Sequence, residues 1–186
     1  MALVDKILSR RSVRRYEKRA LPQDVLDKIL EAGRQAPTAS NRQAWHFIVI
    51  TDADVKTVLS QKEVSPYSPF IKDAPIAIVG CAWIGDDEYN QRWGTIYSII
   101  DTIIALQNMV IAAWAMGVGS CWVGVQGVPI EDKVRQLLNV PSEWKIMAVI
   151  TFGYPAEQSL PRKKKSLEEI VSYNTFKKGH ALESQG

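Results

Sequence analysis

The 186-residue sequence predicts a single α+β domain, and three observations predict it. Four short apolar runs rich in β-branched and aromatic residues recur at 45–51, 75–83, 120–125 and 145–152, as strands do. Apolar residues at helical spacing fill most of the intervals between them. No repeat, composition shift or linker-like tract divides the chain, and its 46% hydrophobic and 23% charged residues suit one globular unit, 1–186.

In chain order, Val4, Ile7 and Leu8 predict about two helical turns ending near Arg10. Leu21-Pro22-Gln23-Asp24 opens a second helix, because proline suits the first helical position and an acid the first turn. Val25, Leu26, Ile29 and Leu30 form its apolar face, and Gly33 and Pro37 bracket its end. Pro37-Thr38-Ala39-Ser40-Asn41-Arg42-Gln43 reads as a loop of short polar side chains, suited to close approach of a ligand. Trp45 to Thr51 is a strand, and Asp52 caps a helix that turns Val55, Val58 and Leu59 inward. Residues 61–72 read as a loop holding Pro66 and Pro69. Pro75 to Trp83 is apolar almost throughout, which places it centrally in its sheet. Asp86 to Arg92 is charged and reads as a lid or access loop. Gly94 to Met116 is a long apolar helix, Ser120 to Val125 a third strand, Ile130 to Leu138 a helix and Lys145 to Phe152 a fourth strand. Gly153-Tyr154-Pro155 stops that strand. Ser166 caps a helix over Leu167–Ser172, and 173–186 reads as a polar arm or tail.

Several function classes fall away on composition. The net charge is only +3, with its basic excess at the two ends, which is too weak for nucleic acid. Cys81 and Cys121 sit in apolar runs as buried free thiols. No Cys/His spacing of a zinc site exists, and the histidines are only His46 and His180. The first residues lack a signal-peptide pattern, so the protein is expected in the cytoplasm. Gly94–Met116 has the length of a membrane span, but Asp101, Gln107 and Asn108 interrupt it, so it is expected to be the buried spine of a soluble fold.

The chemistry centres on Arg10-Arg11-Ser12-Val13-Arg14-Arg15-Tyr16. Guanidinium forks and a hydroxyl match phosphate or carboxylate oxygens. A second basic run, Pro161-Arg162-Lys163-Lys164-Lys165, lies far away in sequence. Together they form either two walls of one phosphate pocket or a polyanion surface. Gly117-Val118-Gly119 follows a helix and precedes a strand, the reverse of the dinucleotide fingerprint. No phosphate loop and no nucleophile with a partner is present. The polypeptide is short of reactive groups of its own, so an imported phosphorylated cofactor is expected to carry any reaction.

The arginine stretch, then Ala36-Pro37-Thr38-Ala39-Ser40-Asn41-Arg42-Gln43-Ala44-Trp45, resembles the N-terminal signature of the nitroreductase family of flavin mononucleotide (FMN) enzymes. The likeness continues through Lys72-Asp73-Ala74-Pro75, the helix with Asp101, Gln107 and Asn108, Gly117-Val118-Gly119-Ser120-Cys121-Trp122-Val123-Gly124, Gly153-Tyr154-Pro155 and Pro161-Arg162-Lys163-Lys164. It spans nearly the whole chain in order. The resemblance implies a mixed or antiparallel sheet of about four to five strands flanked by helices, in a homodimer with the long helix at its interface. It implies that Arg10, Ser12, Arg162 and Lys164 hold the FMN phosphate, with Arg11 beside the phosphate or ribityl chain. Arg14 is expected at the pyrimidine edge, and Pro37, Thr38, Ala39, Ser40, Asn41 and Gln43 near the ring from the partner's side. Gly124 is expected to offer its N–H to flavin N5, with Trp122, Val123 and Val125 lining the ring. The implied activity is ping-pong hydride transfer from NADH or NADPH through the flavin to a nitro compound, quinone or similar small acceptor. No protein acid or base and no metal is called for. The same fold also carries dehalogenation, flavin remodelling and exchange with ferredoxin-type partners. A non-enzymatic polyanion-binding module is the rival from a different class. In the segment where many larger members hold an asparagine and a lysine against the flavin, this chain has Pro66-Tyr67-Ser68-Pro69-Phe70.

Overall fold

The computed structural model describes residues 3–125, 130–157 and 159–176. Four strands, β1 (Trp45–Ile50), β2 (Ile76–Trp83), β3 (Gly119–Gly124) and β4 (Trp144–Gly153), pair antiparallel in the order β1-β2-β4-β3. Among the described residues the sheet therefore has four strands, all antiparallel. Strand β2 is central, as its apolar run predicts, and buried at every residue but Trp83. The β2–β4 register shifts between Gly80 and Cys81, so that Gly80 faces Ala148 while Cys81 faces Ile146. This bulge adds local twist without moving the inward side chains to the wrong face.

Among the described residues there are seven helices: α1 (Leu3–Ser9), α2 (Gln23–Arg34), α3 (Ala53–Leu59), α4 (Glu88–Trp93), α5 (Ile96–Ala115), α6 (Ile130–Leu138) and α7 (Leu167–Ile170). They divide the core into two. On one face Leu26 and Ile29 of α2 and Leu106, Met109 and Ala113 of α5 pack on Ile78, Ala82, Ile150 and Phe152. On the other, Leu59 of α3, Val134 of α6 and Phe70 and Ile71 pack on Val79, Cys81, Val123 and Val149. Helix α5 lies close to its neighbours because two glycines admit it. A Cβ on Gly80 would stand 2.6 Å from Leu106, and one on Gly33 2.2 Å from Met109. The buried Lys56 of α3 donates from Nζ to the carbonyls of Ala74 (2.8 Å) and Pro75 (3.0 Å), fastening that helix to the start of β2.

Four expectations are corrected. The charged stretch Asp86–Arg92 is mostly helix α4 rather than a loop, because the Asp87 carboxylate accepts the Asn90 N–H at 2.8 Å and caps it. The loop over 61–72 runs into a 3₁₀ turn, Pro69–Asp73, opened by its own proline. Helix α7 stops at Ile170 instead of Ser172, leaving only one turn, with Glu169 reaching back to the Ser166 N–H at 2.7 Å. Helix α5 is buried on one side only: its inner face is core, while Ile96, Tyr97, Ile100 and Ile103 stay exposed. By length and composition α5 would pass as a membrane span, but its inner face is occupied by the sheet and α2. Of the expected tail, 173–176 is described, with Tyr173 and Phe176 exposed, and 177–186 lies outside the described residues.

Candidate active site

The arginine stretch leaves α1 and runs along β3. Ser12 pairs with Ser120 in a parallel bridge, and the Val13 N–H donates to the Ser120 carbonyl at 2.9 Å. Val13 is buried against Gly119, where a Cβ would come within 2.6 Å of its side chain. Further on, Tyr16 pairs with Pro155 and the Glu17 N–H donates to Tyr154. Residues alternate in extended backbone, so with Val13 inward, Ser12 and Arg14 turn outward. They meet the second basic run there. Arg10, Arg11, Ser12 and Arg14 line a cleft of about 650 Å³ together with Arg162 and Lys164. The two sequence clusters are thus two walls of one cleft. Glu157, its one acid, is held by Arg15 at 3.3 Å. Among the described residues no ion pair involves Arg10, Arg162 or Lys164. Arg11 is turned back, donating to the carbonyls of Leu8 (3.0 Å) and Arg10 (2.8 Å) at the end of α1.

Arg14 also borders a second pocket, of about 270 Å³, with Trp122, Val123, Gly124 and the segment 65–70. Its guanidinium lies over the Phe70 ring, 5.9 Å from the centroid. Strand alternation sorts this wall: Trp122 and Gly124 lie on the open face, whereas Val123 and Val125 sit in the core. A Cβ on Gly124 would meet nothing within 4 Å, so the space above it is free. Cys121, which also lines the pocket, is buried, and burial pushes its thiol pKa up.

The loop Pro37–Gln43 lies elsewhere. It lines neither pocket. Ser40, Asn41 and Gln43 are left-handed, at φ 53°, 55° and 53°, a conformation that costs energy for residues other than glycine. Two groups hold it. Asp101 of α5 accepts the Ala39 N–H at 3.0 Å, and Thr38 Oγ1 accepts the Gln43 N–H at 3.2 Å. Burial raises the Asp101 carboxyl pKa, against the Ala39 hydrogen bond and nearby Arg42. Arg42 itself pairs with Asp87, donates to Asn90 and Ser98 and lies over the Tyr89 ring. The basic cleft is at the other end of α5, where the Trp114 indole donates to Ser9 of α1. From Asp101 to Trp114 the helix axis runs about 20 Å.

The nitroreductase-family profile matches residues 7–74 and 55–154, a span that contains the arginine wall and the loop and ends before Arg162 and Lys164. The chain belongs to the nitroreductase family. It is 37% identical over 160 residues to an NADH dehydrogenase/NAD(P)H nitroreductase of Methanothermobacter thermautotrophicus, a match covering 84% of this chain and 79% of that one. Among solved structures, an NADH dehydrogenase/NAD(P)H nitroreductase of Parabacteroides distasonis superimposes with a TM-score of 0.81 at 30% identity, over 94% of this chain and 98% of that one. An FMN-dependent nitroreductase of Clostridium difficile gives 0.79 at 30% identity, over 93% and 99%.

In this member of the family the sequence misses Glu157, Ser159 and Leu160 at the cleft, and Ser65 and Ser68 at the second pocket. Ser65 and Ser68 are buried serines in a proline-bracketed segment, a pattern that marks an ordered loop. Glu157 carries no signal, because a lone acid after a strand is usually solvated.

Proposed function

We infer that the protein is an FMN-dependent oxidoreductase that takes electrons from NAD(P)H and passes them to a small acceptor such as a nitro compound or quinone. The observation that carries this is the cleft in which Arg10, Arg162 and Lys164 stand beside the Ser12 hydroxyl with no ion-pair partner among the described residues. Cations brought together by folding repel one another, and a bound phosphate dianion offsets that cost through charge-assisted hydrogen bonds. Relatives named for FMN and for NAD(P)H support the same reading.

The residues present fit the cofactor. Arg10, Ser12, Arg162 and Lys164 would hold its phosphate. Arg14 joins the two pockets and would place a cation beside the ring. Trp122 and Gly124 present an open face whose free space accommodates a planar ring. FMN, when bound, supplies hydride acceptance and donation at its N5. The chain's share is position and electrostatics: it fixes the phosphate, sets a cation by the ring, and leaves the outer face accessible. Arg11 in its observed position caps α1 and would reach the phosphate only by releasing the Leu8 and Arg10 carbonyls.

The site is completed by a second copy of the chain. The loop 37–43 lies about 20 Å along α5 from the cleft of its own chain, so it would approach the ring pocket of a partner. Leu3, Val4, Ile7 and Leu8 of α1 and the Ile96, Ile100, Ile103 stripe of α5 supply the exposed apolar surface for such a dimer. The buried free thiols of Cys81 and Cys121 suit a cytoplasmic location.

The test is the visible spectrum of the purified protein, with the chromophore identified after denaturation. A yellow dimer releasing FMN, about one per chain, and bleached by NAD(P)H is expected. A colourless protein that takes up no added FMN overturns the assignment and returns the cleft to a polyanion surface.

A further inference from the structure

Tyr16 ends the arginine stretch, and the chemistry above makes no use of it. Its side chain is buried, and its phenol oxygen lies 2.6 Å from the Val13 carbonyl and 2.6 Å from Thr151 Oγ1. Thr151 is fully buried in β4, with its hydroxyl 3.4 Å from the Cys121 carbonyl on β3. The hydrogens can be counted. A carbonyl only accepts, so the phenol proton goes to Val13, and the threonine hydroxyl is then the donor toward Tyr16 or Cys121. Burial raises the phenol pKa, so Tyr16 remains a donor at every working pH. Strand β4 is paired on both sides and is a rigid reference.

Val13 is therefore held at both backbone groups, its N–H on Ser120 and its carbonyl on Tyr16. Its neighbours in sequence are Ser12 and Arg14, the cleft-facing pair. We propose that Tyr16 is a positioning residue for the phosphate wall: its hydroxyl, braced by Thr151, fixes the Val13 peptide so that Ser12 and Arg14 are aimed into the cleft before any ligand arrives. Without the strut, binding has to order that peptide, and affinity falls by the ordering cost. The proposal rests on the FMN reading. The ring itself would stay put in a phenylalanine variant, because it packs on Gly153, where a Cβ would come within 2.8 Å of it. Tyr16→Phe thus isolates the hydroxyl.

The experiment is titration of the flavin-free protein with FMN and with riboflavin, which lacks the phosphate. Tyr16→Phe is expected to weaken FMN about tenfold and riboflavin only about threefold, since riboflavin meets Arg14 but not the phosphate wall. Thr151→Val is expected to weaken FMN about threefold, and Thr151→Ser to bind it as the wild type does. The Thr151 pair tests the same brace from its other end and stands in for Tyr16→Phe if that variant misfolds. The double variant Tyr16→Phe/Thr151→Val should be no weaker than Tyr16→Phe, since both remove one chain of bonds. Unchanged FMN affinity, or an equal loss for both flavins, overturns the positioning role. A wild-type protein that binds neither flavin overturns the cofactor reading itself.

Discussion

Arg42 and the arginines of the cleft sit near opposite ends of α5 and teach opposite lessons. Arg42 is mostly buried and saturated: it pairs with Asp87, donates to Asn90 and Ser98 and lies 4.3 Å from the centre of the Tyr89 ring. Asp87 in turn caps α4 and accepts the Trp83 indole N–H at 2.7 Å, and the nearby hydrogen bonds hold its carboxyl pKa below the ordinary range. This is a fastening, in which a charge is spent on holding one helix to one loop. Arg10 lies two residues before the Ser12–Ser120 pairing, yet the charged ends of Arg10, Arg162 and Lys164 have no ion-pair partner among the described residues. A rigid frame with unspent charge is a binding device. The same residue type serves structure where acceptors surround it and recognition where they do not.

The comparison is broken most easily at the cleft. Arg10→Ala combined with Arg162→Ala should weaken FMN at least about 100-fold, since each guanidinium–phosphate bond contributes about 1.5–3 kcal/mol. Its melting temperature should move by less than about 1 °C, because no ion pair among the described residues is lost. A large fall in melting temperature, measured calorimetrically on the flavin-free protein, would mean that these arginines are structural after all.

Arg42→Ala should do the reverse. Losing a part-buried charge that satisfies Asp87, Asn90 and Ser98 should cost about 1–2 kcal/mol, or a melting temperature lower by about 5 °C. Faster hydrogen exchange should be confined to α4 and the 37–43 loop. Exchange spreading evenly over the molecule would sink the idea of a local fastening.

Asp101→Asn gives the smallest effect and fixes its sign. Burial raises the folded-state pKa of Asp101 above its unfolded value. Its stabilising contribution is therefore fully present below the unfolded carboxyl pKa and is lost as pH rises through the folded one, leaving the ionised form a net cost at neutral pH. An asparagine oxygen still accepts the Ala39 N–H without that cost. The variant should melt about 2 °C higher at pH 7, with the difference vanishing as pH falls through the carboxylate range. A variant that melts lower would show that Arg42 needs the charge of Asp101.

The regular elements were legible because their signals are local. Asp52 precedes an apolar pattern and does cap α3, accepting from Asp54 and Val55 at 2.8 and 2.9 Å. The apolar run of β2 marks a central strand, and Ile130–Leu138 is helical with the bounds its pattern gives. Misreadings arose where one residue's role depends on a distant partner. Asp86 to Arg92 reads as a charged lid or access loop until Arg42 and Trp83 arrive to organise it. The α5 pattern is apolar over most of the helix circumference, but a single chain covers only one side of it.

The sequence alone determined the strands, most of the helices and the existence of two cationic clusters, because periodicity, caps and composition act over a few residues. Only the tertiary structure decided that the clusters face each other across one cleft, that Arg42 is neutralised while Arg10 and Arg162 are not, and that Tyr16 reaches the Val13 carbonyl. Those outcomes depend on which groups meet across β3 and β4 and along α5, and such contacts join residues that no local pattern connects.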